Sequence, residues 1–176
     1  ASRLRPNGLL AQALPLGGLS VFEVASVVKT ARSAFADVVL LQTHYQEALL
    51  LASKETIRFD LEAMQRAMEP EKVLLDLGRI GLASPEALVV RHRLSGKGIE
   101  EFARGGRLLT VAGAPLAWAG YRPGAAPVAS ESVEAFDRFS TGLGGRIAGA
   151  PEGAEGDAIL LRIARAVKEA GAHLLR

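Results

Sequence analysis

The clearest pattern in the chain is an apolar stripe in a long segment, Leu19 to Glu69, that contains neither glycine nor proline. Apolar residues recur at steps of three and four along much of this segment, which is the spacing of one face of an α-helix. Ser20 followed by Glu23 is a capping-box sequence, in which each side chain binds a backbone N–H of the first turn. The pattern therefore predicts a long helix that begins near Val21.

The length of this helix has a consequence for assembly. A continuous helix of roughly 48 residues in this segment would be about 72 Å long, whereas a compact chain of this size has a radius of gyration of about 16 Å. Its stripe would extend beyond the domain, so we expect self-association through a coiled-coil-like contact. The residues assigned to oligomerisation are Val24, Val28, Phe35, Val38, Tyr45 and Leu49.

A break at residues 36–43 is the alternative to one continuous helix. The run from Asp37 to Leu41 is apolar and β-branched, which suits a short buried strand. Thr43 with Gln46 would then cap a second helix. The continuous or merely kinked helix is the preferred interpretation.

Glycine and proline mark the boundaries of four segments. Residues 1–19 are rich in both and predict an irregular arm, followed by the long helical segment at 20–77. Residues 78–122 predict a basic helix–helix–hairpin segment, and residues 123–176 predict C-terminal helices. The expected fold is mainly α with one β-hairpin, an α+β class, in one compact domain.

The short elements of the middle segment follow the order of a winged helix–turn–helix. A helix starts at Ser84-Pro85-Glu86, a second covers residues 99–104, and a hairpin covers residues 107–121. A winged module places one helix in the major groove of DNA and its hairpin on the backbone. This order predicts a nucleic-acid contact.

Composition narrows the classes of function. The chain of 176 residues is 49% apolar, which excludes a disordered protein. It has no cysteine, which excludes disulfides, thiolate metal sites and a cysteine nucleophile. The net charge is only +2, but residues 78–122 hold seven basic and three acidic residues. Such a local excess indicates either a solvated basic face or an anionic partner.

We assign the DNA contact to the basic residues of this middle segment, because guanidinium groups bind phosphates through paired hydrogen bonds. Glu100 and Glu101 lie on the candidate recognition helix and argue against the assignment. The assigned residues are Arg91, Arg93, Lys97, Arg104, Arg107 and Arg122.

The sequence contains no recognisable catalytic motif. His44, His92 and His173 are far apart, so neither a metal ion nor a cofactor is predicted. The glycine-rich run 142–146 lacks the lysine and hydroxyl of a phosphate loop. Every apolar run is too short for a membrane span.

These patterns favour a non-catalytic, cytoplasmic homo-oligomer whose middle segment binds an anionic partner, most simply DNA. Two alternatives stay open. One is a helical assembly or adaptor protein without nucleic-acid contact, and the other is an enzyme whose site assembles from distant residues.

Overall fold

A computed structural model describes residues 4–110, 129–140, 142–143, 146–148, 161–163 and 165. The elements in chain order are β1 (Leu9–Pro15), α1 (Val21–Ala34), β2 (Asp37–His44), β3 (Glu47–Ser53), β4 (Phe59–Asp60), α2 (Leu61–Met68), α3 (Glu71–Arg79), α4 (Pro85–Val89), β5 (His92–Leu94), α5 (Gly96–Arg104), α6 (Ala129–Phe139) and β6 (Ile147–Ala148). The fold belongs to the α+β class, as expected. It is not mainly α with one β-hairpin, because its main sheet has four strands.

The chain divides into two compact units. The first unit comprises Ala1–Ile57 and Arg93–Gly142, and the second unit comprises Arg58–His92 and Leu143–Arg176. Each unit is therefore built from stretches that are distant in sequence.

The predicted start of α1 is confirmed. Ser20 N donates to Glu23 Oε2 at 2.7 Å, and Glu23 N donates to Ser20 Oγ at 3.3 Å. Leu19 and Val24, which flank the cap, are both buried. The reciprocal bonds satisfy two N–H groups that would otherwise lack a helical partner.

The prediction of a long N-terminal helix is wrong, because α1 ends at Ala34. The alternative, a strand after residue 36, is the arrangement that the structure has. The second helix expected after Thr43 is instead strand β3. β2 and β3 form an antiparallel hairpin in which His44 lies opposite Glu47, so only Tyr45 and Gln46 form the loop.

The apolar content of β2 explains why it resembles a helix in sequence. Val38 and Leu40 face the helices of the first unit, while Val39 and Leu41 point to the opposite side of the sheet and are also buried. A strand buried on both faces has no alternation of apolar and polar residues. Its run of apolar residues is therefore compatible with a helical stripe.

Residues 9–15, expected within an irregular arm, form the edge strand β1. This strand pairs antiparallel with β3, and the sheet order is β1–β3–β2–β5. All residues of β1 except Leu14 are exposed. Pro15 ends the strand, where its missing N–H is tolerated.

The helices α1, α5 and α6 form the other side of the first unit's core. Leu40 and Leu50 of the sheet pack with Val28 of α1, and all three are almost fully buried. The rings of Phe102 in α5 and Phe136 in α6 meet edge to face at 5.5 Å. This packing fixes α1 and α5 side by side.

The second unit contains α2, α3 and α4, with short strands β4 and β6 paired in parallel. The predicted helix start at Ser84 is confirmed, since Ser84 Oγ accepts from Ala87 N at 3.1 Å and Pro85 occupies the first turn. Phe59 and His92 meet edge to face at 6.5 Å.

Candidate functional site

The described part of the middle segment departs from the expected helix–helix–hairpin order. α4 ends at Val89, and strand β5 separates it from α5. Residues 107–110, the expected first strand of the hairpin, belong to no strand. The rest of the predicted hairpin, 111–121, lies outside the described residues.

The chain that follows α5 runs along α1, because two hydroxyl groups of the helix bind its backbone. Arg107 N donates to Ser26 Oγ at 3.0 Å, and Leu109 N donates to Thr30 Oγ1 at 2.9 Å. The hydroxyls are one helical turn apart, about 6 Å, and two residues of extended chain span about 6.6 Å. The two spacings match, so both bonds form without distortion.

Gly106 allows the chain to approach α1 this closely. A Cβ atom at Gly106 would overlap the backbone atoms of Ala25 and Ser26. Lys29 Nζ also donates to Gly106 O at 2.8 Å. These contacts hold the end of α5 and the residues after it against the outer side of α1.

The outer sides of α1 and α5 form a shallow groove of about 330 Å³. Its charged residues are Lys29, Arg32, Glu100 and Arg104, and together they define the basic groove. Arg32 Nη2 lies 2.8 Å from Glu100 Oε1. The groove thus has three cations and one carboxylate.

Arg104 and Arg107 differ in their surroundings. Within the described part of the chain, the Arg104 side chain makes no hydrogen bond or ion pair, and the residue is exposed. The guanidinium carbon of Arg107 lies 5.9 Å from the centroid of the Phe22 ring, within the range of a cation–π contact. Arg107 therefore extends the basic groove along α1. The groove residues and Arg107 together form the basic surface.

The other predicted DNA-contact residues lie elsewhere. Arg91 is only 6% exposed. Arg93 Nη1 lies 3.3 Å from Asp137 Oδ1. Lys97 is exposed, but it does not line the basic groove and lies about 10 Å from Arg104 along the axis of α5. Arg122 lies outside the described residues.

Sequence reasoning missed Lys29 and Arg32. Both lie in the segment 20–77, which holds six basic and nine acidic residues, and this acidic excess conceals their local role. The signal that identifies them is their spacing of three residues on α1, which places both on one side of that helix. Only the packing of α5 against α1 brings them to Arg104.

The predicted oligomerisation residues do not form one stripe, because they are spread over helix α1 and its C-terminal cap, strands β2 and β3, and the loop between the two strands. Val24, Val28 and Val38 are buried in the core of the first unit. Phe35 packs against this core and is partly buried. Tyr45 is exposed in the hairpin loop, and Leu49 is half-buried in β3.

The histidines occupy separate places. His44 Nδ1 accepts from Gln46 N at 3.3 Å in the hairpin loop, His92 contacts Phe59, and His173 lies outside the described residues. Among the residues that the structure describes, no group of three His, Asp or Glu side chains is arranged to hold a metal ion.

The sequence matches no protein-family model, and comparison with curated proteins and with solved structures gives no match. None of the described helices combines the length and the apolar character needed to cross a bilayer. Function is therefore inferred from the side chains and surfaces of this chain.

Proposed function

We propose that the protein is a non-catalytic, cytoplasmic binding protein whose basic groove takes an anionic partner, most simply DNA. The observation that carries this proposal is the convergence of Lys29, Arg32 and Arg104 on one concave surface, with Glu100 as its one carboxylate among the described lining residues. An excess of positive charge in a cleft raises the local concentration of polyanions and speeds their association.

The basic surface is long enough for more than one phosphate. It extends along α1 from Phe22, which lies under Arg107, to Arg32, a distance of about 15 Å along the helix axis. Phosphates of one DNA strand follow each other at about 3.4 Å along the duplex axis. The surface is therefore longer than the axial rise between successive phosphates, and it can contact more than one phosphate of a strand.

The cations have unequal roles in this proposal. Arg104 offers its full set of donors for a bidentate phosphate contact. Arg32 shares its guanidinium with Glu100, and Lys29 shares its ammonium with the Gly106 carbonyl, so both contribute charge with fewer remaining donors. Contacts of this kind position a duplex without reading its bases. We therefore expect binding that is independent of DNA sequence.

Titration of a fluorescently labelled DNA duplex, followed by anisotropy, tests this proposal. The double variant Arg104→Ala/Arg107→Ala should weaken binding at least tenfold, because it removes two charges from the basic surface. The matched control is Arg66→Ala/Arg79→Ala, which removes two exposed charges from the second unit. An equal loss in the two double variants, or no DNA binding at low salt, would contradict the proposal.

Self-association is a second proposal, and it no longer depends on the helical stripe. Its support is the exposed apolar surface of α3, a helix with no buried residue. Leu75 is 58% exposed, and Ile80, just after the helix, is 63% exposed. Val73 and Leu74 of the same helix are also exposed, and exposed apolar patches often mark protein contacts.

Light scattering tests self-association directly. A second copy docked through α3 predicts a mass above that of one chain, and Leu75→Glu/Ile80→Glu should return it to one chain. A single-chain mass for the unmodified protein at high concentration rejects this second proposal and leaves the basic groove unaffected.

A further inference from the structure

A second concavity lies in the first unit, between the edge strand β1 and the helix α1. Its volume is about 540 Å³, within the range of about 300–1,000 Å³ that is typical of small-molecule sites. The recess reaches past β1 as far as Leu50 of β3. Its walls are mainly aliphatic and include Leu10, Leu14, Val27, Ala31 and Leu50.

The polar groups of this cavity define the chemistry of an occupant. No described residue that lines it is charged, and Gln12 and Thr30 supply its polar side chains. Thr30 Oγ1 is already engaged, since it donates to Ser26 O and accepts from Leu109 N. Gln12 lies at the exposed edge, where its Nε2 donates to Ala13 O at 2.9 Å. Its Oε1 has no hydrogen bond to a described residue and offers one acceptor at the rim.

A second copy of the chain is the competing occupant, because β1 is an exposed edge strand. Two features of β1 disfavour strand addition. The Ala13 carbonyl accepts from the Gln12 side chain, and Pro15 has no N–H to donate. A strand added along this edge would also leave the recess in front of Leu50 unfilled.

We propose that this cavity binds a neutral, apolar small molecule that carries one hydrogen-bond donor for Gln12. The aliphatic walls favour a hydrocarbon body. An anionic ligand of the same size is disfavoured, because no cation among the described lining residues compensates its desolvation. The cavity shares no lining residue with the basic groove, so this inference is independent of DNA binding.

Fluorescence of the neutral dye Nile red tests the proposal, with decanol and decanoate as competitors of equal chain length. We expect the protein to enhance the dye fluorescence and decanol to displace the dye at a concentration at least tenfold lower than decanoate. Ala34→Trp, at an exposed lining position, should lower dye affinity at least tenfold by filling the cavity. Ala67→Trp, on an exposed face of α2, is the matched control and should leave the affinity unchanged.

Three results would overturn the proposal: no enhancement of the dye, equal displacement by alcohol and carboxylate, or full binding by Ala34→Trp. Sedimentation of the same proteins distinguishes the competing occupant. A dimer that Ala34→Trp dissociates and Ala67→Trp does not would assign the cavity to a second copy. DNA titration of Ala34→Trp separates the two sites, because its affinity for DNA should remain that of the unmodified protein.

Discussion

Replacing Ser26 by alanine tests how the chain after α5 is held in place. Ser26 is 1% exposed, and its hydroxyl makes two hydrogen bonds. It accepts from Arg107 N at 3.0 Å and donates to Phe22 O at 2.7 Å. Alanine removes only the oxygen, so the apolar packing of α1 is preserved.

The expected loss in the free energy of unfolding follows from the polar groups that Ser26→Ala leaves without a partner. Arg107 N loses its acceptor beside a buried helix surface, and an unsatisfied buried donor costs about 1–3 kcal/mol. The Phe22 carbonyl keeps its place in the helical hydrogen-bond ladder and adds little. We therefore expect Ser26→Ala to lower the free energy of unfolding by about 1–3 kcal/mol. The same change should weaken DNA binding, because Arg107 is no longer fixed over Phe22.

Urea unfolding followed by circular dichroism measures the first effect, and DNA anisotropy measures the second. Ser33→Ala is the matched control on the same helix, since the exposed Ser33 Oγ donates only to Thr30 O within α1. We expect the control to change the free energy of unfolding by less than about 0.5 kcal/mol. Equal effects of Ser26→Ala and Ser33→Ala would refute the role of the Ser26 hydroxyl in holding this chain.

Two further substitutions test the packing that builds the basic groove. Gly106→Ala should destabilise the protein and weaken DNA binding, because its Cβ would overlap the backbone of Ala25; unchanged urea unfolding and DNA affinity would count against the close approach. Phe136→Ala should cost about 3–5 kcal/mol by leaving a cavity beside Phe102, and a loss below about 1 kcal/mol in the same unfolding assay would be incompatible with a fully buried ring.

The parts of the fold that the sequence predicts correctly are those set by local chemistry. The start of α1 depends on Ser20 and Glu23, which are neighbours in the first turn, and the start of α4 depends on Ser84 and Pro85. Such caps act within a few residues and require no tertiary contact. The starts of both helices can therefore be predicted from the sequence.

The β2–β3 hairpin was not predicted because its signals are non-local. Burial of β2 on both faces removes the alternation that identifies a strand. The loop residues Tyr45 and Gln46 are not the glycine and asparagine typical of two-residue hairpin turns. The apolar residues of both strands also continued the spacing of the helical stripe across the end of α1.

The same distinction applies to the candidate site. Arg104 and Arg107 follow from the local charge excess in the middle segment. Lys29 and Arg32 join them only because α5 packs beside α1. This packing brings together residues that are far apart in sequence, such as Arg32 and Glu100, which are 68 positions apart. Charge counted by segment therefore identifies part of a basic surface but not its shape.

The salt dependence of DNA binding tests the role of the basic groove most directly. Each phosphate contact contributes about 0.9 to the slope of log affinity against log salt concentration. Arg104→Ala should reduce this slope by about 0.9 relative to the unmodified protein, while the exposed Arg79→Ala should leave it unchanged. A slope for Arg104→Ala equal to that of the unmodified protein would show that Arg104 contacts no phosphate and would contradict the proposed interface.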